Sequence, residues 1–242
     1  MIHPSPRLSL LLLLLVGPFP IQTIIAQSSP AGEAATARLN LLRATLSSYL
    51  DSLHAAGVEE IFTLGNGGNA PVDPIEKMAT VMRGGFRNPE ALRVSDAVRT
   101  WGRSLRWTFR DLGEPLVDRV VIEKSTHMAR IYHGETLLLE TVVATGDPEI
   151  GKETPEGRYH VLYVDWRPLS RWIRGNVPYG HDYNPYGARQ IPFYKDWTMH
   201  GNNDPSALGH DISKGCVRFH NAEIMVIAEL IQAVRTIVEV RP

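Results

Sequence analysis

Only one cysteine, Cys216, occurs among the 242 residues, so no intrachain disulfide is available to staple the fold. Charge of either sign is also missing in excess: 25 basic residues face 26 acidic ones, for a net charge of −1. That balance gives no electrostatic footprint for nucleic acid or an anionic membrane, and no nucleic-acid partner is expected. No internal repeat is present. No apolar run is long enough to make a good spanning helix, because the one candidate, Leu8 to Val16, is closed by Gly17, Pro18 and Pro20.

That run follows Arg7 and precedes Ile24-Ile25-Ala26, the order of a charged region, an apolar core and a cleavable end. Residues 1–26 therefore read as an export signal, either cut after Ala26 or kept as an uncleaved anchor, and no cysteine follows to carry a lipid. A lone thiol in an exported chain either pairs with another chain or is kept for its chemistry. An inert, buried cysteine is the bland alternative.

The hydrophobic fraction, 43%, suffices for a sizeable core. Gln27 to Gly32 is small and polar, a flexible start. Leu39, Leu42, Leu46, Tyr49, Leu50 and Leu53 then recur at helical spacing up to Gly57. Gly65 to Asn69 is a loop by composition. Asp73-Pro74-Ile75-Glu76 and Asn88-Pro89-Glu90 each combine a capping side chain with proline in the first turn, which predicts helix starts, the second helix running to about Trp107. Residues 27–117 are thus expected to be a helical region of unassigned role.

Past Arg110 to Pro115 the pattern changes to β-branched runs: Val120 to Glu123, Met128 to Tyr132, Leu137 to Ala144 and Tyr159 to Val164. His133-Gly134-Glu135 predicts a hairpin turn. Asn221 is expected to cap a late helix with Ile224, Ile227, Ala228 and Ile231 on one face, and Thr236 to Val240 returns to strand composition. The fold class expected is mainly β, an antiparallel sandwich or partly open barrel with one late helix, preceded by the small helical region.

Within this part, Cys216 stands in Ser213-Lys214-Gly215-Cys216-Val217-Arg218, sixteen residues after His200. A cysteine attacks a carbonyl as thiolate and needs a base or cation to reach that form. His200 ends a strand-like run, Trp197-Thr198-Met199, and is the candidate general base and acid. Gly215 allows close backbone approach, so the N–H groups of Gly215 and Cys216 are candidate oxyanion donors. Lys214 and Arg218 either favour the thiolate, hold a substrate carboxylate, or are solvated surface charges. His200, His210 and His220 match no metal-ligand spacing, so neither metal nor cofactor is expected.

The run Met199-His200-Gly201-Asn202-Asn203-Asp204-Pro205 followed by Ser213-x-Gly215-Cys216-x-Arg218 resembles the signature of the L,D-transpeptidase catalytic domain, the YkuD-like family. Thr145-Gly146 with Thr154-Pro155-Glu156-Gly157, and Asn184 to Arg189, resemble two further segments of that domain. The resemblance spans Asp118 to Arg241 and leaves the helical part unexplained. It implies an antiparallel β-sandwich with a helix, with Cys216 as nucleophile and His200 as acid and base. It also places Gly201 at the backbone that orients the histidine, and Ser213 and Arg218 as loop-shaping positions. Many members carry histidine where this chain has Lys214, so no role for a second histidine transfers.

The function implied is a peptidoglycan L,D-transpeptidase working through a Cys216 thioester on stem tetrapeptides. Its products would be 3→3 cross-links, lipoprotein anchoring or D-amino acid exchange in the periplasm or cell-wall space, with carbapenem β-lactams as covalent inhibitors. Two other readings stand beside it: an L,D-carboxypeptidase or amidase on the same residues, and a catalytically silent wall-binding module.

Overall fold

The computed structural model describes residues 29–63, 88–171 and 177–242. The export-signal segment, the loop at Gly65 to Asn69 and the helix start at Asp73 lie outside the described residues. Among those described, no helix is long and apolar enough to cross a membrane.

Helix α1 (Pro30–Ala55) begins earlier than expected. Ser29 Oγ accepts the Gly32 N–H at 3.2 Å and Pro30 fills the first turn, so the polar segment read as a flexible start already contains a cap. Its buried residues, Leu42, Leu46, Leu50 and Leu53, follow helical periodicity. Gly57, at φ 70°, turns the chain into the short α2 (Val58–Phe62). Helix α3 (Pro89–Thr108) starts where the sequence places it, with Asn88 Oδ1 accepting from Glu90 and Ala91 N–H, both at 3.1 Å.

Ten strands follow: β1 (Arg119–Glu123), β2 (Met128–His133), β3 (Thr136–Val142), β4 (Thr145–Gly146), β5 (Gly157–His160), β6 (Gln190–Tyr194), β7 (Trp197–His200), β8 (Asp211–Ser213), β9 (Val217–Arg218) and β10 (Ile237–Arg241). The large sheet has the order β3-β2-β1-β10-β5, the small one β6-β7-β9, and β4 pairs with β8. The β2–β3 hairpin turns at the predicted residues. Three pairings, β1–β10, β4–β8 and β7–β9, are parallel, so the sheets are mixed rather than wholly antiparallel.

The run from Tyr159 to Val164 is not one strand. Val161 N–H still donates to Thr236 O, but Leu162 N–H donates to Pro192 O and Asp165 pairs with Gln190. The chain steps from the large sheet onto β6, and one β-branched run serves two ladders.

Helix α4 (Asn221–Leu230) is buried at every residue. A single apolar face was expected. The helix instead lies between β7 and the three N-terminal helices, so no side reaches solvent. Even Glu229 is enclosed: it crosses α3 at Gly102, where any Cβ would collide with it, and pairs with Arg106 at 2.9 Å. Leucines from α1, Val98 and Leu105 from α3, and Ile224 and Ile227 from α4 join Val120, Ile131 and Val238 of the sheet in one hydrophobic cluster.

Candidate active site

Parallel pairing of β7 with β9 sets Met199 against Val217 and His200 against Arg218. Side chains alternate along a strand, so Met199 and Val217 enter the core while His200, Arg218 and Cys216 share the other face. The fifteen-residue excursion between His200 and Cys216 thus closes into adjacent strands. Arg218 also bonds across to Ala144 through both main-chain groups, which ties β9 to the segment entering β4.

Gly215 takes a φ of 108°, and a Cβ there would overlap the Trp197 indole; only glycine lets this turn pass under the ring. Ser213 fixes the turn from inside. Its hydroxyl accepts the Gly215 N–H at 3.0 Å and donates to Cys216 O at 2.5 Å. This corrects the oxyanion assignment in part, because the Gly215 N–H is already committed to Ser213. Lys214 is exposed on the outside of the same turn.

His200 is 4% exposed, and its Nδ1 lies 2.7 Å from Gly201 O. In the neutral ring this contact puts the proton on Nδ1, leaving Nε2 with the lone pair. Burial, with Arg218 adding positive charge nearby, pushes the imidazole down to about 3, against the pull of the Gly201 and Pro185 carbonyls. Burial also pushes the Cys216 thiol up, opposed by a main-chain hydrogen bond from Thr198 and by the charge of Arg218. The resting pair is therefore neutral thiol beside neutral imidazole. Sγ is turned toward Asp196 O at 3.9 Å and makes no hydrogen bond to His200. Arg218 is half-buried, with Nε lacking a hydrogen-bond partner.

Two residues not read from the sequence as part of the site belong to it. The Tyr186 ring meets the His200 ring edge-on at 5.2 Å, and its hydroxyl is pushed up by burial and by the charge of Cys216. Asn221, expected as a helix cap, is fully buried and holds the His-Gly turn. Its Oδ1 accepts the N–H groups of Ala188 (2.9 Å) and Asn202 (3.2 Å), while its Nδ2 donates to Asn202 O (2.7 Å) and Glu59 Oε2 (3.1 Å). The capping of α4 falls to Glu59, whose Oε1 accepts the Ala222 N–H at 2.9 Å. Gly201 packs so tightly against this amide that a Cβ would strike Asn221 Oδ1 and Ala188 N. An asparagine inside an apolar helix was the only sequence signal.

The depressed imidazole couples stability to pH with a definite sign. Unfolded histidine titrates at its ordinary 6.5, and the folded ring only at about 3. Between those values the unfolded chain binds the extra proton, so stability falls as pH drops below 6.5. In urea titrations at pH 6.5 and pH 5, the wild type is expected to lose about 2 kcal/mol more than His200→Gln. Equal losses would mean that His200 is solvated.

The L,D-transpeptidase catalytic domain family, YkuD, matches residues 117–240. The chain belongs to this family. A Bacillus licheniformis protein bearing the name L,D-transpeptidase YkuD is 26% identical over 114 residues, which is 47% of this chain and 59% of that protein. L,D-transpeptidase YqjB of Bacillus subtilis is 30% identical over 125 residues, 49% of this chain and 67% of its own. An L,D-transpeptidase structure from Mycobacterium smegmatis aligns with a TM-score of 0.41 at 15% identity, covering 52% of this chain and 59% of that one, a likeness too slight to bear on the site. The chain thus covers 59% of the first of these relatives. The matched region leaves α1, α2 and α3 outside it.

Proposed function

We propose that the protein is a cysteine L,D-transpeptidase of the bacterial cell wall, exported through its N-terminal segment. The observation that carries this reading is the placement of the sole cysteine and His200 on one face of paired β7 and β9, the imidazole held in one tautomer by Gly201 O. The donor is a peptidoglycan stem tetrapeptide. Its third residue presents a carbonyl to Cys216, and rotation about the Cys216 Cα–Cβ bond brings Sγ from Asp196 toward Nε2. His200 takes the thiol proton as the C–S bond forms. The Cys216 N–H then faces the oxyanion in place of the committed Gly215 N–H, and Arg218 supplies positive charge beside the sulfur.

His200 returns its proton to the departing D-alanine nitrogen as the C–N bond breaks, which leaves the thioester. An acceptor amine attacks next, loses its proton to His200 and expels the thiol, which recovers that proton. A second stem gives a 3→3 cross-link, a lipoprotein lysine gives anchoring, and a free D-amino acid gives exchange. With water as acceptor the same residues perform L,D-carboxypeptidase or amidase chemistry. Carbapenems, which present a strained acyl group to the same sulfur, are expected to acylate Cys216.

The test is incubation of the purified protein with a disaccharide-tetrapeptide and a D-amino acid, followed by mass spectrometry. Exchanged or cross-linked product supports transfer. Tripeptide alone moves the reading to hydrolysis. Unchanged substrate, together with no carbapenem adduct, overturns catalysis and leaves a wall-binding module.

A further inference from the structure

Away from that site, three side chains with metal-ligand chemistry converge from three separate elements. His54 lies in the last turn of α1, Glu59 in the first turn of α2 and Glu223 in the first turn of α4. Their ligand atoms all lie within 4.8 Å of one another, with His54 Nε2 3.0 Å from Glu223 Oε1. His220 flanks them, its Nδ1 3.8 Å from Glu59 Oε2.

Simple electrostatic docking of the helices explains part of this cluster. Glu59 caps α4 and holds Asn221, and hydrogen bonds from His220 and the start of α4 keep its carboxylate ionised against the cost of burial. Docking does not explain Glu223. That carboxylate is nine-tenths buried, and its Oε2 has no hydrogen-bond partner. The buried Nδ1 of His220 faces Glu59 Oε2 at 3.8 Å, longer than a normal hydrogen bond. A buried carboxylate oxygen left unanswered is costly in an ordinary interface. Two carboxylates and two imidazoles also match a dication in charge and donor type.

We propose that His54, Glu59 and Glu223 bind a divalent transition-metal ion, with His220 placed to complete the set. Ligands about 2.0–2.2 Å from a tetrahedral zinc ion lie roughly 3.3–3.6 Å apart, and the spacings here bracket that range. Binding exchanges the His54–Glu223 hydrogen bond for two bonds to the ion, the ring N–H of neutral His54 moving from Nε2 to Nδ1. Glu59 keeps lone pairs for the ion while accepting from Ala222 and Asn221. The ion fastens α1 and α2 to the start of α4, which follows β9 in the chain. The proposal does not depend on the reaction assigned to that turn.

The experiment titrates Zn²⁺ alone into chelator-stripped full-length protein by calorimetry, in a Cys216→Ser background so that the thiol does not compete. One ion per chain with micromolar or tighter affinity is expected, and a melting temperature about 5–10 °C higher at a hundredfold excess over Kd. His54→Ala and Glu223→Gln should each weaken binding at least tenfold; should one of them not fold, the other decides. Zinc X-ray absorption should give a nitrogen/oxygen shell near about 2.0 Å with no sulfur. Absence of 1:1 binding, or binding left intact in the variants, overturns the proposal.

Discussion

Cys216→Ser should turn over tetrapeptide at least about 10⁴-fold more slowly than the wild type while melting within about 2 °C of it. The rate loss follows from what a neutral imidazole can deprotonate. His200 is starved of protons by burial, so it is a weak base. A thiol, even one pushed above its ordinary value, remains within reach of such a base when the proton moves in concert with attack. A serine hydroxyl lies several units higher still, and losing the nucleophile of such a pair removes most of the catalysis. Stability should hardly change, because the Sγ contact with Asp196 O is a long one and one polarizable atom is exchanged for a smaller one. Product quantified by mass spectrometry beside a thermal melt checks both halves. More than about one per cent residual rate would remove Cys216 from the nucleophile's role.

Asn221→Ala should produce the largest loss of stability of any single polar truncation in this site. The amide is fully buried and bonded to Ala188, Asn202 and Glu59, so alanine leaves two main-chain N–H groups and the Asn202 carbonyl without partners. At about 1–3 kcal/mol for each unsatisfied group, with partial relaxation, the expected loss is about 3–4 kcal/mol. In a chain of this size that lowers the melting temperature by about 10 °C. Activity should fall as well, because the turn that carries Gly201 O positions the His200 tautomer. Asn221→Asp, which keeps an acceptor but loses the donor and sets a second carboxylate against Glu59, should rescue little. A melt within 2 °C of wild type would show that water replaces the amide.

The candidate site was legible as a pattern because its residues are packed into short runs. Ser213 to Arg218 is one turn, and His200 ends one strand, so spacing along the chain already implies spacing in space. Helix α3 was readable for the same local reason, through Asn88 and Pro89. What escaped was set by partners distant in sequence. Full burial of α4 depends on α1 arriving from about 170 residues upstream. Its periodicity is that of any apolar helix, with nothing to say that a second layer would cover the outer face. Parallel pairing of β1 with β10 and of β7 with β9 leaves no mark in either strand. The loss of the Gly215 N–H as an oxyanion donor turns on one Ser213 rotamer. No ligand spacing could have linked His54, Glu59 and Glu223, since each sits on a different element.

In the large sheet, β10 is flanked by β1 and β5, both made earlier in the chain. The strand that joins β1 to β5 is therefore synthesised after all the others. Until Ile237–Arg241 emerges, β1 and β5 each keep an open edge and the sheet cannot close. Until that last strand is made, its two neighbours lack the partner that joins them. Quality control follows, since a product cut short before this strand presents two unpaired ribbons, the kind of surface that proteases and chaperones engage.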